Sequence, residues 1–263
     1  MRGDDDQSQG LQLAKQLANT LNALAMFDVF DEGVIKRLCE ETITKAKDFT
    51  AQGIANTLNA LVYNECVVKR LCEETMTKAK DFTAQGIANT LNALLTFGHF
   101  DEQLLPVLWR LALASDLVDI VEGADQLVQC DLCMSLEQPS WGLEPLSPSF
   151  VTSVKKRRQD GTQVSKLHKE VSRSLSAMGV AHGIEVDIKG LIVDIAIEPL
   201  QLVLEVDGPF HFLRGTQRLN GSSRFKRRLL VKQGWTVRSV PYFKWDVLDE
   251  QQRPLFLREL LQK

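Results

Sequence analysis

No apolar run among these 263 residues approaches the roughly 18 needed to cross a bilayer, so no membrane-spanning helix is expected and the chain reads as soluble. Cysteine is sparse and odd in number: Cys39, Cys66, Cys72, Cys130 and Cys133. An odd set without a secretory signal fits a reducing compartment and excludes a disulfide scaffold. Cys130-Asp-Leu-Cys133 has C-x-x-C spacing, but no second pair accompanies it and the histidines stand apart, which disfavours a zinc or redox centre there. The first half is poor in positive charge, with 11 basic against 22 acidic residues up to Phe150, so it is not a primary phosphate binder. The remainder reverses the balance, 20 against 12, and is where a polyanion would bind. The start, Met1-Arg-Gly-Asp-Asp-Asp6, lacks the Arg-rich character of an organellar import peptide, so the expectation is no import signal, or a processed or truncated start.

What is present first is repetition. Val34–Leu61 and Val67–Leu94 are the same 28 residues but for Ile35 against Val68 and Ile43 against Met76. Asn-Thr-Leu-Asn-Ala-Leu begins at Asn19, Asn56 and Asn89, steps of 37 and 33 residues, a period that marks stacked helical hairpins. Ile54, Leu58 and Leu61 recur at i, i+4 and i+7 as the apolar face of one helix, with Asn56 and Asn59 elsewhere; Val68, Leu71 and Cys72 belong to its partner. Asp81-Phe-Thr83 reads as a break and N-cap. The four-residue shortfall falls between Leu61 and Val67, and a diverged unit trails over Gln103–Val121. Copies this similar either stack as a scaffold or read the same base in succession.

The expected organisation is therefore α+β and multidomain: helical-hairpin repeats over 11–125, a linker over 126–163 suggested by Pro139, Pro145, Pro148 and several serines, and a small mixed α/β domain over 164–263. The basic run Lys155-Lys156-Arg157-Arg158 reads as a solvated or phosphate-contacting segment rather than a nuclear address. In the last domain, Val164–Met178 is expected as an amphipathic helix closed by Gly179. Ile184–Ile188, Leu191–Ile197 and Leu202–Asp207 are expected strands, Ser223–Gln233 a helix, Trp235–Tyr242 a strand and Pro254–Leu261 a helix.

Alternation places Asp194 on one face of its strand, and Glu205 with Asp207 on one face of the next. A hairpin through Glu198–Gln201 pairs Ile197 with Leu202, and hence Asp194 with Glu205. Like charges so opposed are destabilising, so three carboxylates crowd one spot and need a compensator. Two candidates stay open: a Mg²⁺ ion on Asp194 and Glu205, or basic side chains such as Arg224, Arg227 and Arg228. Phosphate-binding candidates are Arg224, Lys226, Arg227, Arg228, Lys232, His211 and the run Lys155–Arg158. Phe225 and Leu229 fill the opposite side of the basic helix. Phe210, Phe212, Trp235, Tyr242, Phe243 and Trp245 are either base-stacking residues or core.

Val193-Asp-Ile-Ala196, Leu204-Glu-Val-Asp-Gly-Pro-Phe-His-Phe212, Lys226-Arg-Arg-Leu-Leu230, Gly234-Trp-Thr-Val237 and Val240-Pro-Tyr-Phe-Lys-Trp245, in that order, resemble a RAP domain over roughly Ser165–Leu261. This is an RNA-binding module abundant in apicomplexans and found in FAST-kinase-like proteins. The Asn-Thr-Leu-Asn-Ala-Leu hairpins are similar to octotricopeptide-like repeats. The resemblance implies mitochondrial or plastid RNA metabolism: transcript stability, processing or ribosomal RNA assembly. The RAP domain in turn resembles restriction-endonuclease-like nucleases, whose pattern is Asp, then Glu-x-Lys, with an acidic residue on the preceding helix. Asp194 and Glu205 match the two carboxylates and Glu170 would stand on the helix, while Asp207 occupies the lysine position. That departure argues against cutting and leaves metal binding open. Three expectations follow: a non-catalytic RNA binder requiring no cofactor; a Mg²⁺-dependent ribonuclease with Asp194, Glu205 and Asp207 catalytic; and a scaffold whose acidic repeats dock ribosomal or other RNA-metabolism proteins.

Overall fold

The computed structural model describes residues 32–60, 65–115, 123–159, 165–213 and 215–262, with isolated positions between 12 and 20. Leu61, the shortfall at 61–64, the segment ahead of residue 32, the end of the trailing unit at 116–121 and the side chains of Asn59 and Arg158 lie outside the described residues. The chain is mostly helical with one small mixed sheet, an α+β arrangement that divides into two compact units: Met1–Phe150 with Leu213–Thr216, and the rest. Among the described residues no helix is long and apolar enough to cross a membrane.

The first unit is a stack of helices: α1 (Glu32–Lys45), α2 (Ala51–Ala60), α3 (Glu65–Lys78), α4 (Ala84–Thr96), α5 (Leu104–Ala114) and α6 (Ala124–Glu137). α1 packs on α3, and α2 and α6 pack on α4, so alternate helices form two layers. Apolar spacing is the cause: Ile54 and Leu58 on α2, and Val68, Leu71 and Cys72 on α3, are all buried. The identical sequences fold identically at their breaks. A 3₁₀ turn ends each first helix, at Ala46–Asp48 and Ala79–Asp81. A threonine then caps the next helix, Thr50 accepting from Gly53 N at 3.1 Å and Thr83 from Gly86 N at 3.1 Å. Lys78 Nζ donates to Phe49 O at 2.9 Å and ties one copy to the next.

The stretch 126–163, expected as a linker, carries two α-helical segments among its described residues. Residues 126–137 continue α6, whose Leu127, Val128, Cys130, Cys133 and Met134 are buried. Trp109 Nε1 donates to Glu144 O at 2.7 Å and fixes the proline-bearing segment, and α7 (Pro148–Gln159) follows. Pro148 starts that helix, where its missing N–H costs nothing, so the prolines punctuate elements rather than mark a flexible tether.

The second unit runs α8 (Lys166–Ala177), β1 (Gly183–Ile188), β2 (Leu191–Ile197), β3 (Leu202–Glu205), α9 (Gly221–Lys232), β4 (Thr236–Ser239), the single turn α10 (Tyr242–Trp245) and α11 (Gln252–Leu261). The sheet order is β1-β2-β3-β4, antiparallel but for the β3–β4 pair. Strand β4 stops before Tyr242 because Pro241 has no N–H for a ladder and instead opens α10. One sheet face (Ile195, Ile197, Leu202, Leu204, Val206) packs on Val171 and Leu175 of α8, on Trp245 and on Leu257 of α11. The other face lies under α9, which buries Phe225, Leu229 and Leu230.

Candidate functional site

The site is built by register. Lys189 and Gly190 form a two-residue turn with φ 48° and 95°, the geometry of a tight hairpin loop, and fix Ile188 opposite Leu191 and Val186 opposite Val193. Glu185, whose φ of 51° interrupts the ladder between Ile184 and Val186, brings a carboxylate oxygen within 4.8 Å of one from Asp194. Pairing of Ile197 with Leu202 and Ile195 with Leu204 sets Asp194 against Glu205, as the alternation implied. In the parallel pair Glu205 faces Ser239. Glu185, Asp194, Glu205 and Ser239 thus gather side by side, Asp194 reaching the chain beside Glu205 through Val206 N and Glu205 pairing with Ser239, with Asp207 two residues past Glu205. Cross-strand neighbours in such a row sit roughly 4.5–5.5 Å apart at Cβ, so the carboxylates repel unless each is met by a donor.

Each is met. Lys226, reaching down from α9, places Nζ 2.7 Å from Glu205 Oε2. Val206 N donates to Asp194 Oδ2 at 2.6 Å. Asp207 accepts from the Ser239 hydroxyl and lies 3.4 Å from His211 Nδ1, which is also 3.2 Å from Ser223 Oγ. At the outer end His168 Nδ1, from α8, is 3.3 Å from Glu185 Oε1. The compensation is incomplete. Burial drives the Glu205 carboxyl up to about 7 against the pull of Lys226, with Asp194 and Asp207 adding repulsion. Burial also raises Asp207, opposed by the Ser239 hydrogen bond and His211, and raises Glu185, with Asp194 adding to it.

Of the candidates read from sequence, Asp194, Glu205, Asp207 and His211 come together. Glu170 does not join them: it faces the opposite side of the sheet, accepting from Trp245 Nε1 at 3.2 Å and pairing with Arg253 at 3.5 Å. The compensating cation is Lys226, not Arg224, Arg227 or Arg228. Lys226 thus points into the site, with its side chain 23% exposed. Arg227 donates to Val237 O at 2.9 Å, and Arg228 lies 5.0 Å over the Phe225 ring. Arg224 and Lys232 are exposed on α9, with no ion pair to another described residue. In the basic run Lys155 pairs with Asp187 at 2.7 Å, while Lys156 and Arg157 are exposed. Glu185, His168 and Ser239 were missed. The Lys189-Gly190 turn fixes the β1–β2 register, but the positive φ of Glu185 interrupts it at that residue, so the sequence held no signal for its side chain.

Aromatics divide as sharply. Trp245 is fully buried; Phe212, Tyr242 and Phe243 pack together with ring centroids 5.2 to 6.0 Å apart. Phe210 is 94% exposed, against the burial normal for phenylalanine. Asn220 anchors its backbone: its Oδ1 accepts from Ser223 N at 2.9 Å, capping α9, while its Nδ2 donates to the Phe210 carbonyl at 2.8 Å. A pocket of about 20 Å³, room for about one water, opens between Glu205, Asp207, His211 and Lys226.

A divalent cation fits this donor set. Glu205 Oε1 and His168 Nε2 are buried and lack a hydrogen-bond partner among the described residues, the condition an ion or water relieves. His168, Glu185 and Asp194 offer ligand atoms within 4.8 Å of one another. Asp194 and Glu205, with Glu185, are the oxygens that Mg²⁺ would take.

Residues 204–260 match the family model of the RAP domain. The RAP domain so placed contains Glu205, Asp207, Phe210, His211, Lys226 and Ser239; Glu185 and Asp194 precede it. The chain is also similar to a chloroplastic RAP domain-containing protein of Oryza sativa subsp. japonica, 31% identical over 117 residues, which is 44% of this chain and 18% of that protein. The chain thus spans under a fifth of that relative's length.

Proposed function

We propose that this chain is an RNA-binding protein of plastid or mitochondrial RNA metabolism, gripping single-stranded RNA on the outer surface of its RAP domain. The carrying observation is the exposed Phe210, clamped by Asn220 at the N-terminus of α9 and followed along that helix by Arg224, Arg228 and Lys232 at four-residue intervals. A stacking ring beside a stripe of cations suits a sequence-tolerant grip on bases and phosphates. The RAP match and the chloroplastic relative support the organellar setting, with transcript stability, processing or ribosomal RNA assembly as the task.

One observation favours a second reading, a Mg²⁺-dependent ribonuclease. The strand lysine that the nuclease-like pattern lacks at Asp207 has a spatial substitute in Lys226, whose ammonium lies against Glu205 from the covering helix. Mg²⁺ bound there would activate water against a phosphodiester. Purified chain incubated with labelled single-stranded RNA, in Mg²⁺ or in chelator, separates the two. Retention with intact RNA in both conditions is expected. Mg²⁺-dependent cleavage that disappears in Asp194→Asn establishes the ribonuclease, and absence of retention at low salt contradicts both.

A further inference from the structure

The helical unit holds a second convergence of ligand-type side chains that the RNA-binding reading does not use. Cys72 lies on α3 and is 4% exposed. His99 and Asp101 lie in the connection between α4 and α5, which is fixed at both ends. Gly98, at φ 72°, and His99 close α4 through Gly98 N to Leu95 O at 3.0 Å and His99 N to Leu94 O at 2.9 Å. Asp101 Oδ1 accepts from Gln103 N at 2.9 Å and Leu104 N at 2.8 Å at the start of α5. One sulfur, one imidazole nitrogen and one carboxylate oxygen then lie within 4.8 Å of one another, in a cleft of about 790 Å³ also walled by Glu65, Lys69 and Glu73.

We infer that Cys72, His99 and Asp101 form a zinc site whose fourth position opens into this cleft. Thiolate and imidazole together select zinc over magnesium or calcium. Around a tetrahedral zinc with bonds of about 2.0–2.3 Å the ligand atoms stand about 3.3–3.8 Å apart, so closure needs a contraction of at most about 1.5 Å, within reach of side-chain rotation. The repeat itself supplies a cysteine, Cys39 in the preceding copy, and an aspartate, Asp31 in the connection after the first Asn-Thr-Leu-Asn-Ala-Leu, but Val29 stands there in the place of His99, so the histidine that completes the set is particular to this connection.

The test is Co²⁺ titration of the reduced, metal-free full chain, followed by displacement with Zn²⁺. A thiolate-to-cobalt charge-transfer band is expected, lost on adding one equivalent of zinc. Because buried Cys72→Ser can disturb folding, His99→Gln on the connection, and Asp101→Asn, which keeps the helix cap, are read alongside it with helical circular dichroism as the folding check. Each is expected to weaken zinc by at least the ~10–100-fold that loss of a metal site's supporting partner costs, whereas Cys39→Ser leaves the band intact. No band in the wild type, a band that survives Cys72→Ser, or a band weakened equally by Cys39→Ser overturns the site.

Discussion

Phe210 and Glu205, five residues apart, occupy opposite environments: one ring in solvent, one carboxylate in the interior. Phe210→Ala removes no packing, so the melting temperature should hold while RNA affinity falls by the ~1–3 kcal/mol of one stacked base, read by fluorescence anisotropy. A drop in melting temperature with unchanged affinity would make the ring structural. Glu205 gives a pH signature. With its folded pKa raised from 4.5 to about 7, the unfolded chain releases its proton first, so stability falls as pH climbs between those values and levels off above them. Glu205→Gln lacks that ionisation. Its melting temperature relative to wild type should therefore rise from pH 4.5 to 7 and stay flat beyond; a pH-independent difference would mean that Lys226 neutralises Glu205 fully.

At the scale of elements, helix boundaries and strand register were legible because local chemistry dictates them. Thr83 was readable as a cap from Asp-Phe-Thr, and it does accept from Gly86 N. Thr83→Ala should cost ~1 kcal/mol, checked by denaturant unfolding with the slope unchanged; no loss would mean that the stack, not the cap, holds α4. The Asp194–Glu205 pairing followed from counting back from one turn. Glu185 escaped because its φ of 51° breaks the strand alternation around it, leaving Ile184 exposed. The lysine that meets Glu205 was hidden for another reason. Arg224, Lys226, Arg227 and Arg228 share one helix, and which of them points at the sheet depends on how Phe225 and Leu229 seat it, a tertiary fact. Glu170 shows the converse: its place on the helix was readable, but the face of the sheet that the helix covers was not. Composition near the prolines at 139–148 could not show that Trp109 Nε1 reaches Glu144 O in that segment.

At the scale of the molecule, the charge split assigns the tasks: an acidic repeat unit and a basic unit carrying the RAP domain. Within the basic unit the acidic row is buried and partly met by Lys226 and His211, while Arg224 and Lys232 stand exposed on α9. The central claim is that RNA binds along α9, beside Phe210. Its most direct test is the slope of log affinity for single-stranded RNA against log salt, for the full chain and for Arg224→Ala with Lys232→Ala. Each phosphate contact on a single strand contributes about 0.7 to that slope, so the double variant should flatten it by about 1.4. An unchanged slope would place the RNA elsewhere on the molecule.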